Sequence, residues 1–388
     1  MSVLDNKNGH HKKITDKVDY NIHGLIGVRL LHPLAGDIAT VDKQLGPMRG
    51  QVQDPDITIR FVKNIPTPKL ITLDVDRAGF DENGFYILQS KKRAAKVKIP
   101  FDQIGERCEI ICEHGLKAVP LLIAIINLTL LKKGALALHA CAFLHNDKGV
   151  LVTGWSKGGK TEALLSFAKA GADYIGDEWV ILSHGGIVMY GIPEPIRIWQ
   201  WHLKEYPRLR QLVSFSEKLI FKIIDLFVGL DHLLQKSRWE KMVFSQALHK
   251  AIPALKRQQG TNIAPYKIFQ RLCFDRGVHP DRVFLILSHQ EETIQILPIS
   301  GAEIAEKMVA SLQYELLPLM EYYQMFRYAF PEIENEFLAT VGKRQHDLLT
   351  RALAGKQAFS VKRPHPVSFD ELFEVMDQVI TTENALVA

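Results

Sequence analysis

At roughly 100–200 residues per domain, a chain of 388 residues is long enough for two or three compact units. Its 47% hydrophobic and 23% charged residues exclude collagen-like, low-complexity and wholly disordered classes. Lys and Arg number 48 against 43 Asp and Glu, and the resulting charge of +5 suits phosphate-bearing ligands but is far too small to make nucleic acid an expected partner.

Residues 1–17 are rich in Lys, Asn, His and Asp and lack the apolar run of a signal peptide, so they read as a flexible tail. With only four cysteines in the chain, the expected localisation is the reduced cytoplasm. Residues 18–115 alternate short β-branched and aromatic runs, such as Ile57-Thr58-Ile59-Arg60-Phe61-Val62, with turn residues such as Asp81-Glu82-Asn83-Gly84. This pattern predicts a β-rich N-terminal unit. Cys108, Cys112 and His114 lie close together but supply three ligands without a fourth, so no zinc site is expected.

The apolar stretch 118–131 is interrupted by Pro120, Asn127 and Thr129 and falls short of the roughly 20 residues a bilayer span needs. It predicts a buried helix ending near Lys132-Lys133-Gly134. Strands are expected at 135–143 and 149–153, followed by a glycine-rich turn and a helix over 161–170. That order opens an α/β nucleotide-binding core, taken to occupy 116–388. Helical periodicity over 201–260, with basic residues outnumbering acidic ones by about two to one, predicts an insertion into that core. It is expected to pack on its own protein, the alternative being contact with a partner or a membrane surface. Strands resume at 282–288 and 293–297, and the spacings Ser300/Glu303 and Ser368/Glu371 announce two further helices through capping boxes.

Chemistry concentrates in Gly154-Trp155-Ser156-Lys157-Gly158-Gly159-Lys160-Thr161, which satisfies the phosphate-loop pattern G-x4-G-K-[ST] in full. Small residues let successive N–H groups turn inward around a phosphate, and the following helix presents its positive end. Gly154, Ser156, Lys157, Gly158 and Gly159 are thus candidate nucleotide contacts. Lys160 would neutralise the terminal phosphates and Thr161 would offer a hydroxyl to Mg²⁺. Downstream, Asp177-Glu178 ends a short apolar strand. One such carboxylate can serve Mg²⁺ and the other can orient or deprotonate an acceptor hydroxyl.

Leu138-His139-Ala140, the loop Gly154 to Thr161 and Gly176-Asp177-Glu178 together resemble, in residue type and separation, the catalytic domain of HPr kinase/phosphorylase and its relatives in the phosphoenolpyruvate-carboxykinase-like superfamily. The close match covers 136–182. The resemblance implies an α/β fold with a P-loop HPr kinase-like core, here carrying a β-rich N-terminal unit and a helical insertion, and an ATP- and Mg²⁺-dependent kinase acting on a hydroxyl, usually a serine of a protein or peptide. It implies Asp177 as the base, Glu178 with Thr161 at the metal, His139 close to the phosphates, and a homo-oligomer. In Gly191-Ile192-Pro193-Glu194-Pro195-Ile196-Arg197, where relatives place a basic residue near the phosphates, it points to Arg197 as a stabiliser of transferred charge and to Glu194 as a nucleotide contact.

This chain departs from the family in carrying Glu178 where aspartate is common. It also reads Pro298-Ile299-Ser300-Gly301-Ala302-Glu303 where the bifunctional regulators have a Gly-Arg-Asn turn. Phosphorolysis and HPr itself are therefore not expected, and the acceptor is left as a protein, a peptide or a small metabolite. ATP, ADP and pyrophosphate all remain open as donors, since phosphate loops read phosphates rather than bases. The rival expectation is a nucleotide-responsive binding module whose basic insertion contacts a partner. A carboxykinase activity is disfavoured because the ligands for its second metal are not identifiable.

Overall fold

The period-two pattern of 57–62 becomes a strand in which Ile57, Ile59 and Phe61 are buried while the residues between them are half exposed. It belongs to an eight-stranded sheet in the computed structural model, which describes residues 16–67, 69–74, 78–87, 95–236 and 243–382. Residues 1–15 of the expected tail lie outside these.

The first elements are β1 (Lys17–Ile22), β2 (Ile26–Leu31), α1 (Ala35–Leu45), β3 (Ile57–Val62), β4 (Ile71–Asp74), β5 (Ala78–Asp81), β6 (Gly84–Ile87), β7 (Val97–Ile99), β8 (Cys108–Glu113) and α2 (Leu122–Lys132). The sheet runs β1-β2-β3-β8-β7-β6-β5-β4. Its β2-β3-β8 segment is parallel and its other pairings are antiparallel. Cys108 and Cys112 are buried free thiols two strand periods apart on β8, so their spacing is that of one sheet face. His114 Nδ1 instead lies 2.7 Å from Asp37 Oδ2. Helix α2 is the buried helix foreseen at 118–131, starting later because Pro120 and a left-handed Leu121 precede it.

The chain continues with β9 (Leu136–His145), β10 (Lys148–Thr153), α3 (Lys160–Lys169), β11 (Asp173–Gly176), β12 (Trp179–Ser183), β13 (Val188–Gly191), β14 (Ile196–Trp199), α4 (His202–Glu205), α5 (Phe215–Gln235), α6 (Val243–Lys256), β15 (Gly260–Ile263), β16 (Arg282–Ser288), β17 (Gln295–Pro298), α7 (Gly301–Ala329), α8 (Glu336–Leu353), β18 (Gln357–Arg363) and α9 (Phe369–Thr381). The architecture is mixed α/β, with strands of both directions in its sheets.

Two compact units result, the first from residues 1–138, 181–192 and 302–354, the second from 139–180, 193–301 and 355–388. This division differs from a cut at 115/116, because α7 and α8 join the N-terminal sheet. Aromatic packing is the reason: Phe85 stacks on Phe101 at 4.6 Å and on Tyr322 of α7 at 4.8 Å, and Phe101 meets Phe326 at 4.9 Å. Asn335 caps α8 by accepting from Leu338 N, and its Nδ2 donates to the Phe101 carbonyl at 2.7 Å. Gly105 has φ of +89°, and a Cβ there would lie 2.5 Å from the Phe337 ring. Gly105→Ala is therefore expected to lower the melting temperature by several degrees in calorimetry, through both backbone strain and the displaced ring.

In the second unit the strand order is β9-β10-β16-β18-β17, with β11 also paired to β9. The pairs β10–β16 and β16–β18 are parallel. Helices α3 and α9 pack together, and their Phe167 and Phe369 share one core with Phe143, Phe284 and Phe359 of the sheet. Ser368 caps α9 by accepting from Glu371 N. The insertion leaves and re-enters through a two-stranded ribbon, β14 against β15, in which Trp199 faces Gly260. Holding the two ends this close reduces the entropy cost of so long an excursion. Within it a Ser214–Glu217 capping box starts α5. Among the described residues no helix is long and apolar enough to cross a membrane.

Candidate functional site

Strand β10 ends at Thr153, and the glycine turn 154–161 carries the chain into α3. The turn needs left-handed backbone at three places: Gly154 (φ +151°), Lys157 (φ +62°) and Gly159 (φ +117°). A Cβ on Gly154 would lie 2.5 Å from the Ile286 carbonyl of β16, so only glycine lets the turn pass over that strand. Lys160 is buried, and its Nζ donates to the carbonyls of Gly154 (3.1 Å) and Trp155 (2.9 Å). The ammonium is thereby folded back inside its own turn, while Trp155 stands half exposed outside it.

Asp177 and Glu178 form the turn between β11 and β12. The Ala140 amide donates to the Glu178 carbonyl, tying this turn to β9 beside His139. Asp177 is only 2% exposed, and Thr161 Oγ1 donates to its Oδ2 at 3.4 Å. Burial pushes the Asp177 carboxyl up to about 7, and the Glu178 charge adds to the rise against the opposing pull of Lys160 and His139. Glu178 behaves oppositely. His139 Nε2 lies 2.9 Å from its Oε2, and that contact holds the Glu178 carboxyl below its ordinary value. Glu178 also sits at φ +68°, a left-handed strain for a residue other than glycine. Two neighbouring carboxyls thus have their proton affinities driven apart, an arrangement suited to one proton acceptor and one fixed anion.

A cavity of about 1090 Å³ joins these groups, and its wall includes His139, Lys160, Thr161, Asp177 and Glu178. Ser156, Lys157 and Gly159 of the turn also line it, whereas Gly154 and Gly158 do not. The volume sits at the upper end of ordinary small-molecule pockets. The far wall comes from β14 and the insertion, with Arg197, Trp199, Trp201, Lys204 and Lys256.

The remaining two candidates are placed differently from the group around Lys160. Arg197 does face the cavity, but its guanidinium lies over the Trp199 ring at 5.1 Å and donates to Asn262 Oδ1 and the Arg257 carbonyl. It is anchored to the ribbon. Glu194 is absent from the cavity wall; burial and the Glu178 charge raise its carboxyl to about 7.

One part of the site has no signal in the sequence. Arg363, the last residue of β18, is fully buried, and its guanidinium packs on Gly159, where a Cβ would lie 2.2 Å from Nε. Its Nη1 donates to the Pro364 carbonyl, whereas Nε and Nη2 have no hydrogen-bond partner, Nη2 lying 3.7 Å from Glu162 Oε1. Glu162 occupies the first turn of α3, and the buried His202 Nε2 is 3.6 Å from the same oxygen. Burial alone would raise the Glu162 carboxyl, but His202 and Arg363 outweigh it and keep it below its ordinary value. An arginine closing an apolar strand before Pro364-His365-Pro366 reads locally as a surface residue, so only its position in space identifies it.

Oxygen donors converge at Thr161, Asp177 and Glu178, the chemistry Mg²⁺ prefers when it also takes phosphate oxygens. Among the described residues no group of three or more His, Cys, Asp or Glu side chains is arranged to hold a metal unaided. Neither a scan of protein-family models nor a search of curated proteins found a match for this chain.

Proposed function

We propose that this chain is an ATP-dependent phosphotransferase with a P-loop core of the HPr kinase type, acting on a hydroxyl of a protein, a peptide or a small metabolite. The observation that carries this reading is the buried Asp177 carboxyl, poised near neutrality within reach of Thr161 and open to a cavity that also holds Lys160. In this reading the turn 154–161 receives the polyphosphate, and Lys160 rotates from its loop carbonyls toward the terminal phosphates. Asp177 accepts the acceptor's hydroxyl proton as that oxygen bonds to the γ-phosphorus. The bond from the γ-phosphorus to the bridging oxygen breaks, and ADP leaves. His139 orients Glu178 through their 2.9 Å contact. Thr161 and Glu178 would hold Mg²⁺, which when bound offsets negative charge on the phosphates. A cytoplasmic setting and a homo-oligomeric state belong to the same proposal.

The test is transfer from γ-labelled ATP to a cell extract split into protein, peptide and small-metabolite fractions, with pyrophosphate as an unlabelled competitor. Wild type is expected to label one fraction. Lys160→Ala is expected to lose both labelling and ATP affinity, the latter by about tenfold or more in calorimetric titration. Intact ATP binding without labelling in any fraction would favour the nucleotide-responsive binding module instead.

A further inference from the structure

Helix α5 turns its apolar side outward. Of its large apolar side chains Phe221 and Ile224 are buried, whereas Phe215 (82% exposed), Leu226 (74%), Leu233 (68%), Leu219, Ile220, Ile223, Phe227 and Leu230 face solvent. At 3.6 residues per turn these eight fall within an arc of about 140°. Lys218, Lys222 and Lys236 follow along one border of that arc, and among the described residues none of the three makes an ion pair. The acidic side chains of the helix are all engaged within the insertion and its ribbon. Glu217 accepts from Ser214 (2.6 Å) and Thr261 (2.5 Å), and Asp225 from Gln200 (2.6 Å) and Gln259 (2.7 Å). Asp231 lies 3.1 Å from His249.

The outer face is therefore an apolar stripe with lysines along one edge, while Glu217, Asp225 and Asp231 lie on the rest of the helix circumference, held by partners in the insertion and its ribbon. Charge decides between occupants. A second copy of this chain would bring an identical cationic edge to the interface, whereas an anionic lipid surface takes the stripe into its acyl boundary and the lysines into its headgroups. Leucine and phenylalanine stripes bordered by lysines that reach toward water suit that depth. We infer that α5 is a membrane-surface helix that seats this chain on an anionic bilayer without crossing it. The inference is independent of phosphoryl transfer, since neither the exposed apolar residues of α5 nor Lys218, Lys222 and Lys236 line the cavity around Lys160.

The full chain is sedimented with vesicles of phosphatidylcholine alone and of phosphatidylcholine containing phosphatidylglycerol. Anionic vesicles are expected to carry down at least about ten times more protein, with the excess removed by high salt. The pair Leu226→Glu and Leu233→Glu, at sites too exposed to disturb folding, is expected to abolish binding at an unchanged melting temperature. Lys218→Gln, Lys222→Gln and Lys236→Gln together are expected to erase the preference for anionic lipid. Wild type that stays in the supernatant, or glutamate variants that sediment as wild type does, would overturn the inference. So would a concentration-dependent dimer in analytical ultracentrifugation that the same glutamates dissociate, which would assign the face to a second copy.

Discussion

Asp177→Asn is expected to abolish phosphoryl transfer while making the ligand-free protein more stable at pH 8. Loss of a general base costs about 10²–10⁴ in rate. ATP affinity should be nearly unchanged, because Asp177 is assigned to the acceptor proton and the polyphosphate to the turn 154–161. The stability effect has its own sign. With the folded carboxyl raised from 3.8 to about 7, the unfolded chain loses this proton first as pH rises, so stability falls across that window. Above about 7 the full penalty applies, on the order of a few kcal/mol, and asparagine removes it. Scanning calorimetry should show a small gain for the variant at pH 5 and a larger one at pH 8. A variant that is inactive yet melts below wild type at pH 8 would mean that the carboxylate is structural.

Arg363→Met is expected to be the most destabilising single change around the site, lowering the unfolding free energy by about 3–5 kcal/mol in urea titration. It removes the guanidinium that lies 3.7 Å from Glu162 and leaves a buried carboxylate with His202 as its remaining partner. Adding Glu162→Gln to Arg363→Met should recover a large part of that loss, because the stranded charge disappears with it. A coupling energy above about 1 kcal/mol in the four-way cycle would establish the pair as one unit. Additive losses would show instead that Arg363 acts through its packing on Gly159. The single variant should also weaken ATP binding, since the guanidinium supports the turn at the glycine that precedes Lys160.

These two residues differ in how far the chain itself reveals them. The turn from Gly154 to Thr161 is legible because eight consecutive residues carry its conformation, with a strand before and a helix after. Asp177 and Glu178 are legible for the same reason, being adjacent at a strand end, although their opposite proton affinities are not. That difference arises from burial of one carboxyl and from His139, which β9 brings to 2.9 Å from the other. The helices over the insertion and after Ser300 and Ser368 follow from periodicity and capping, which are local properties. Their assignment to units is not local. Helix α7 joins the N-terminal sheet because Tyr322 and Phe326 find Phe85 and Phe101, a choice among aromatic partners far apart in sequence.

Periodicity also identifies 201–260 as helical, but it leaves open which face of α5 would be covered. That depended on how α6 and the β14–β15 ribbon engage the acidic side of the helix. Arg363 is the extreme case. Its place beside Gly159 rests on the parallel register of β16 with β18, which sets Ser288 opposite Arg363 while Ser288 Oγ approaches the Gly158 carbonyl at 3.4 Å. Local order along the chain specifies the turn, the helix it opens and the two carboxyls. The buried cation beside Gly159 comes only from a strand pairing between distant segments, because a side chain's neighbours in a sheet are set by register rather than by the residues beside it in sequence.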